Sequence, residues 1–103
     1  MVSISEVNDQ IRQSVPLLPL PHRLILTPTV EQLPEEIFER LLLQVKSFGG
    51  FDENNDPHKE HDFGKVTADG CCYFWKFDYY DNDFRYFQKN GTRVLTIMRV
   101  DEY

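Results

Sequence analysis

The sequence predicts an α+β fold in which two helices pack on one face of a small, mainly antiparallel sheet, in the order α-β-α-β-β-β. Three observations support this prediction. The segment 34–48 repeats apolar residues at helical spacing. The β-rich runs 61–68 and 71–80 flank Asp69-Gly70, a dipeptide favoured in two-residue hairpin turns because both positions tolerate a positive φ. A further β-rich run occupies residues 92–100 and predicts the last strand.

The remaining elements have local start and stop signals. Ser3 and Glu6 form a capping-box pattern, which predicts a short first helix that Pro16 terminates. The apolar run RLILT at 23–27 predicts a strand. The second helix is predicted to begin with Pro34 at its first position and to end before Gly49-Gly50.

Length and charge restrict the class of protein. A chain of 103 residues predicts one domain spanning 1–103, since domains typically contain about 50 to 200 residues. The formal net charge of -6 argues against direct nucleic-acid binding, which needs a basic surface, and against an anionic membrane surface. The same charge is compatible with a basic protein partner.

Cysteine usage and the N-terminal sequence predict the compartment. Cys71 and Cys72 are adjacent, so on a strand they point to opposite faces and are poorly placed to form a disulfide with each other. The chain shows no signal-peptide pattern and no apolar run long enough to span a bilayer. We therefore expect a reduced, cytoplasmic protein that does not contact membranes.

The polar segment FDENNDPHKEHDFG at 51–64 admits a metal-site and a structural interpretation. Asp52, Asn54 and Asp56 match the start of a calcium loop, but Pro57 replaces the turn glycine and Phe63 the bidentate glutamate. A zinc or manganese site would use the following ligands, an incomplete set: His58, Glu60, His61 and Asp62.

The structural interpretation of the same segment rests on its turn residues. Asn55-Asp56-Pro57 is a strong turn signal, so we predict an ordered loop held by Asx-type turns and expect no bound metal or cofactor. From Glu60 onwards the chain is predicted to enter the sheet, with His61 hydrogen-bonded to an acidic neighbour.

The predicted strand 71–80 combines an aromatic face with an unusual charged pair. Alternation places Trp75 on a face with other aromatic residues, and we expect it to be buried against the second helix. Lys76 should meet a carboxylate, either Asp78 on its own strand or Glu60 or Asp62 across the hairpin. Pairing about Asp69-Gly70 sets Phe63 opposite Lys76, although a bulge would change that register.

Several motifs also resemble a known family. The chain is similar to a bacterial family of unknown function, number 3768, in the following segments: Asn8-Asp9 with Arg12, Asn55-Asp56-Pro57, EHDFG (60–64), WKFDYYD (75–81), RVLTIM (93–98) and Glu102-Tyr103. The resemblance implies a small free-standing protein, often from plasmid- or phage-rich genomic surroundings, and it implies no activity. The chain departs from the family at 16–22 and at Glu53-Asn54, where more acidic residues often occur.

The leading functional hypothesis is a non-enzymatic, acidic protein-binding module, a modulator or inhibitor of a nucleic-acid-processing or host-defence partner. No nucleophile elbow, P-loop, C-x-x-C or H-E-x-x-H motif is present. The alternative is a small metal-dependent hydrolase using the Asp56–Asp62 segment. The candidate binding residues, which form either a buried network or an exposed patch, are Asp56, Glu60, His61, Asp62, Trp75, Lys76, Asp78, Tyr80 and Arg93.

Overall fold

The computed structural model describes residues 2–103 and contains three α-helices and four strands. In chain order they are α1 (Ile4–Arg12), β1 (Arg23–Leu26), α2 (Pro28–Glu31), α3 (Glu35–Ser47), β2 (Phe63–Ala68), β3 (Cys71–Tyr80) and β4 (Thr92–Arg99), followed by a 3-10 turn at Val100–Glu102. The α+β class is confirmed, and α2 is an additional short helix that the sequence analysis did not predict. Among these helices none is long and apolar enough to cross a membrane.

The starts of the helices follow the capping signals closely, whereas α1 ends at Arg12, before the predicted stop at Pro16. Ser3 is the N-cap of α1, and its hydroxyl accepts a hydrogen bond from the Glu6 amide at 3.2 Å. Helix α3 begins one residue later than predicted, because Pro34 is its N-cap instead of its first helical residue. The unpredicted α2 has Thr27 as N-cap and Pro28 in its first turn, a pattern that is typical of a helix start.

The sheet has the strand order β1-β4-β3-β2. Its β2–β3 and β3–β4 pairs are antiparallel, whereas β1 pairs with β4 in parallel, so the sheet is mixed but mainly antiparallel. Phe63 pairs with Lys76, and the Phe77 amide donates to the Asp62 carbonyl at 2.8 Å. The register predicted from the Asp69-Gly70 turn is therefore confirmed without a bulge.

The hydrophobic core lies between the sheet and the helices. Trp75 is fully buried there, as predicted, and the Phe48 ring at the end of α3 meets it edge-on with centroids 5.4 Å apart. Leu41 and Val45 of α3 are also fully buried. Gly64 on β2 lies directly beside the indole, where any Cβ atom would come within 2.5 Å of Trp75 Nε1.

Within residues 2–103 no α-helix packs on the other face of the sheet. Side chains at alternate positions of β3, from Cys72 to Tyr80, point to this face and are only half-buried, whereas those between them lie in the core. We call this surface of β3 the open face; on the neighbouring β4 the same side of the sheet is buried at Val94 and Met98. The predicted binding residues are divided between the open face and the helix side of the sheet, so they cannot all meet.

Candidate functional site

The predicted binding residues lie on two sides of the sheet. The helix side contains Asp56, His61, Trp75 and Arg93, whereas the open face contains Lys76, Asp78 and Tyr80. Glu60 and Asp62 lie in the segment that leads into β2. Because neighbouring residues of a strand point to opposite faces, Trp75 and Lys76 cannot line the same site.

Asn8 connects the polar residues on the helix side. Its side chain is fully buried in α1, and its Nδ2 donates to the Glu60 carbonyl at 2.9 Å and to the Tyr79 hydroxyl oxygen at 2.8 Å. Its Oδ1 accepts a hydrogen bond from Arg93 Nε at 2.9 Å. One amide thus joins α1, the loop before β2, β3 and β4.

Arg93 is buried by this arrangement and its guanidinium is fully engaged. The other two guanidinium nitrogens donate to the Gly91 carbonyl at 2.8 Å and to Asn90 Oδ1 at 2.6 Å. Its Cζ lies 5.1 Å from the centroid of the Tyr79 ring. Burial lowers the pKa of Arg93 and raises the pKa of the Tyr79 phenol. The phenol therefore stays neutral at physiological pH.

Arg12 ties α1 to the C-terminal end of α3. Its Nη1 donates to the Val45 and Lys46 carbonyls at 2.7 and 3.1 Å, and its Nη2 donates to Asp9 Oδ1 at 3.0 Å. The Arg12 guanidinium also lies 5.0 Å from the centroid of the Trp75 ring. A cation that satisfies the last carbonyls of a helix and covers an aromatic ring stabilises the packing of both.

His61 is held between two carboxylates. Its Nδ1 lies 3.0 and 3.1 Å from the two oxygens of Asp9, and its Nε2 lies 3.6 Å from Asp56 Oδ2. Its ring stacks on Phe51 with centroids 3.9 Å apart and planes 2° apart. The predicted acidic neighbour is confirmed, and it comes from α1, 52 positions earlier in the chain.

The expectation that His61 enters the strand is wrong. Its backbone has φ of 55°, in the left-handed region, and β2 begins only at Phe63. The physical reason is the Asp56 carboxylate, whose Oδ1 accepts hydrogen bonds from both the Glu60 and His61 amides at 3.0 Å. These bonds curl the chain before it can extend into the sheet.

Asx-type turns order the first half of the same loop, as predicted. Asp52 Oδ1 accepts hydrogen bonds from the amides of Asn54 and Asn55 at 2.8 and 3.0 Å. The Asn55 Oδ1 in turn accepts a hydrogen bond from the Asp52 amide at 2.9 Å, and its Nδ2 donates to the Gly50 carbonyl at 2.9 Å. The loop borders a hollow of about 260 Å³, lined by Phe51, Asp52, Glu53, Asp56, Pro57, Lys59 and His61.

The possible metal ligands of this loop are not gathered into a common site. Within residues 2–103 no group of three or more His, Cys, Asp or Glu side chains is arranged to hold a metal ion. Asp56 directs its Oδ1 to two backbone amides, and His58 is exposed. The metal-dependent hydrolase stays a prediction.

The open face has an aromatic surface with an ion pair in its centre. Lys76 Nζ donates to Asp78 Oδ2 at 2.9 Å, which confirms the predicted pairing of Lys76 with a carboxylate. On one side of this pair Phe74 contacts both Phe63 and Tyr103, with ring centroids 5.0 and 5.5 Å away. The pair therefore has aromatic neighbours on its own face.

The other end of the open face is formed by β3 and the loop after it. The Tyr80 ring meets Phe84 at 6.4 Å, and Arg23 lies over the Phe84 ring at 3.9 Å. Beside it is a hollow of about 320 Å³, lined by Asp62, Phe77, Asp78, Tyr79, Tyr80 and Phe87. Burial, followed by the charge of Glu60, raises the pKa of Asp62 at the edge of this hollow.

The family of this chain follows from comparison with known proteins. The sequence pattern of the family described as "Protein of unknown function (DUF3768)" matches residues 26–102. The chain belongs to that family. No curated protein and no solved structure gives a significant match to it.

The family match includes both groups of predicted binding residues but not α1. Asn8, Asp9 and Arg12 lie before residue 26, although their side chains hold His61, Arg93 and the end of α3 in place. Only the family resemblance pointed to these three residues, and they were not among the candidate binding residues. No local pattern pointed to them, because their partners are distant in sequence.

Proposed function

We propose that this DUF3768 protein is a non-enzymatic binding module for another protein, and that the open face is its contact surface. The observation that supports this proposal is the aromatic surface on a sheet face that no α-helix covers. Tyr103 is 78% exposed there although its ring packs on Phe74. Exposed aromatic residues of this kind mark interaction surfaces, because they bury a large area while ordering few side-chain torsions.

The loop after β3 adds exposed aromatic area next to the sheet, and the ion pair of the open face adds polar specificity. Tyr86 and Phe87, in the loop between β3 and β4, are 71% and 73% exposed. The half-buried pair of Lys76 and Asp78 supplies one donor and one acceptor group among the rings. A partner that covers the rings must also match these charges, which selects against partners that are only apolar.

The charge of the chain supports a basic partner. With a net charge of -6, the protein is attracted to the positive surfaces that nucleic-acid-binding proteins present. An acidic protein on such a surface competes with nucleic acid. We therefore propose that it acts in the cytoplasm as a modulator or inhibitor of a nucleic-acid-processing or host-defence protein.

A comparative pull-down from a lysate of the native host tests the proposed surface. The variant Tyr86→Ser/Phe87→Ser/Tyr103→Ser removes three exposed rings and should leave the fold intact, because their side chains contribute little to the core. The control Val2→Ser removes an apolar side chain that is 50% exposed at the start of the chain. We expect a stoichiometric partner with the wild type and the control, and its loss with the triple variant.

Calorimetry with the purified partner then gives the affinity. Loss of the rings should weaken binding by at least about tenfold, equal to about 1.4 kcal/mol. The wild-type protein should also reduce the affinity of the partner for nucleic acid, and the triple variant should not. Recovery of no stoichiometric partner, or equal affinities for the triple variant and the control, would contradict the proposal.

A further inference from the structure

We propose that a groove along α3, on the side of the molecule opposite the open face, binds a basic amphipathic helix of a partner protein. The groove is separate from the open face and does not depend on the function proposed for it. It is defined by two adjacent hollows, by the exposed Leu43 side chain and by a row of acidic side chains. Each of these features specifies part of the chemistry of the occupant.

The groove has a mixed lining, in which apolar side chains are joined by glutamates and a lysine. The larger hollow, about 530 Å³, is lined by Pro16, Glu35, Phe38, Glu39, Leu42, Leu43 and Lys46. The smaller one, about 280 Å³, is lined by Leu26, Val30, Glu31, Leu33, Glu35 and Phe38. Because both include Glu35 and Phe38, the two hollows adjoin on either side of the Phe38 ring, and together we call them the groove.

The apolar surface of α3 extends beyond what the core uses. Leu41 and Val45 are fully buried against the sheet, whereas Leu43, on the other side of the helix, is 62% exposed. An amphipathic helix that only covers a core has a polar outer side, so the exposure of Leu43 indicates a second contact surface.

The charges around the groove indicate that its occupant carries positive charge. Three exposed carboxylates line it, at Glu31, Glu35 and Glu39. None of them forms an ion pair with another residue in 2–103. A basic side chain also lines it, at Lys46 towards the C-terminal end of α3. A partner with regularly spaced Lys or Arg would therefore find free counter-charges.

The same charges disfavour a second copy of this chain as the occupant. Two copies meeting through α3 would bring their rows of glutamates together, and like charges across an interface reduce affinity.

A helix suits the groove in length, because the 13 residues of α3 extend for about 20 Å, or three to four turns. Apolar residues at i, i+3/i+4 and i+7 would enter the hollows on either side of Phe38.

The probe is a fluorescein-labelled synthetic peptide of about 16 residues, made of Leu and Lys at helical spacing. One control peptide has the same composition in an order that abolishes the amphipathic pattern, and another has Glu in place of Lys. Fluorescence anisotropy measures affinity, and amide chemical shifts locate the site. We expect binding that weakens with added salt, with the largest shifts in residues 16–20 and 31–46, and at least about tenfold weaker binding of both control peptides.

Matched variants separate the groove from general attraction to an acidic protein. Leu43→Ser and Glu39→Lys alter exposed groove side chains and should each weaken binding by about tenfold or more. Glu53→Lys makes the same charge change away from the groove, and Tyr103→Ser alters the open face. Both should bind within about twofold of the wild type, and all four should keep the wild-type melting temperature.

Four outcomes would overturn this inference. They are absence of binding up to about 1 mM peptide, equal binding of the permuted peptide, chemical shift changes confined to the open face, and a dimer in sedimentation that Leu43→Ser abolishes. The last outcome would assign the groove to a second copy of the chain. Failure of the open-face experiment would leave the groove result unaffected, since the two experiments use different probes and variants.

Discussion

The amide oxygen of Asn8 in α1 accepts a hydrogen bond from Arg93 Nε in β4 at 2.9 Å, across 85 positions of the sequence. Both residues are buried, and the remaining bonds of Asn8 reach β3 and the loop before β2. Since buried polar groups are costly when they lose a partner, this contact makes the docking of α1 specific.

Replacing Asn8 with alanine should therefore destabilise the fold. Asn8→Ala leaves Arg93 Nε without this acceptor and removes the donor to Tyr79, so we expect the free energy of unfolding to fall by about 2 to 4 kcal/mol. Urea denaturation measures this change. The control is Gln10→Ala, an exposed position on the same helix, which should remain within about 0.5 kcal/mol of the wild type. Equal losses in the two variants would show that the network adds no stability.

Gly64 should not tolerate a methyl group. A Cβ atom there would lie 2.5 Å from Trp75 Nε1 and 2.7 Å from two ring carbons, and the fully buried indole has no room to move. We expect Gly64→Ala to lower stability by about 1 to 3 kcal/mol and to change the tryptophan fluorescence. Gly49→Ala is the matched control, because nothing lies within 4 Å of its Cβ position. If Gly64→Ala and Gly49→Ala have the same melting temperature, the Trp75 indole does not lie beside residue 64.

The Asp56 carboxylate should matter more to the loop than the His61 ring. Asp56→Ala removes the acceptor of two backbone amides, so we expect a loss of about 1 to 3 kcal/mol, while Asp56→Asn retains an oxygen and loses less. His61→Ala should cost less than Asp56→Ala, because the His61 side chain is 30% exposed. Thermal denaturation ranks the variants. Wild-type melting of both alanine variants would show that the loop is not structural and would favour a ligand site.

Asp62 should reduce stability at neutral pH. Burial and the nearby Glu60 raise its pKa, so the folded state binds the proton more tightly than the unfolded chain does. Stability from this group is thus greatest at low pH and is lost as the pH rises from the unfolded pKa through the raised folded pKa. Asp62→Asn should melt higher than the wild type at pH 7, and the difference should disappear near pH 3, below the ordinary aspartate pKa of about 3.9. The exposed Glu53→Gln control should show no such dependence.

Local sequence patterns were sufficient to predict most helices and strands, except α2, and the pairing across the hairpin. The hairpin register followed from Asp69-Gly70, and alternation along β3 predicted the burial of Trp75. A carboxylate partner for Lys76 was also predicted, and Asp78 is one of the three candidates. These features depend on residues close in the chain, or related by one tight turn, so local rules are sufficient. The ordered turns after Asp52 were predictable for the same reason.

Tertiary structure alone decided which polar residues meet. The parallel pairing of β1 with β4 and the docking of α1 bring Asn8 to Arg93 and Asp9 to His61, across 85 and 52 positions. No local pattern encodes such contacts, because they depend on how helices settle on the sheet. The curl at His61 also required the fold, since alternation predicted an extended chain there. Strand alternation alone separates Trp75 from Lys76, whereas the fold decides that the helices cover the Trp75 face.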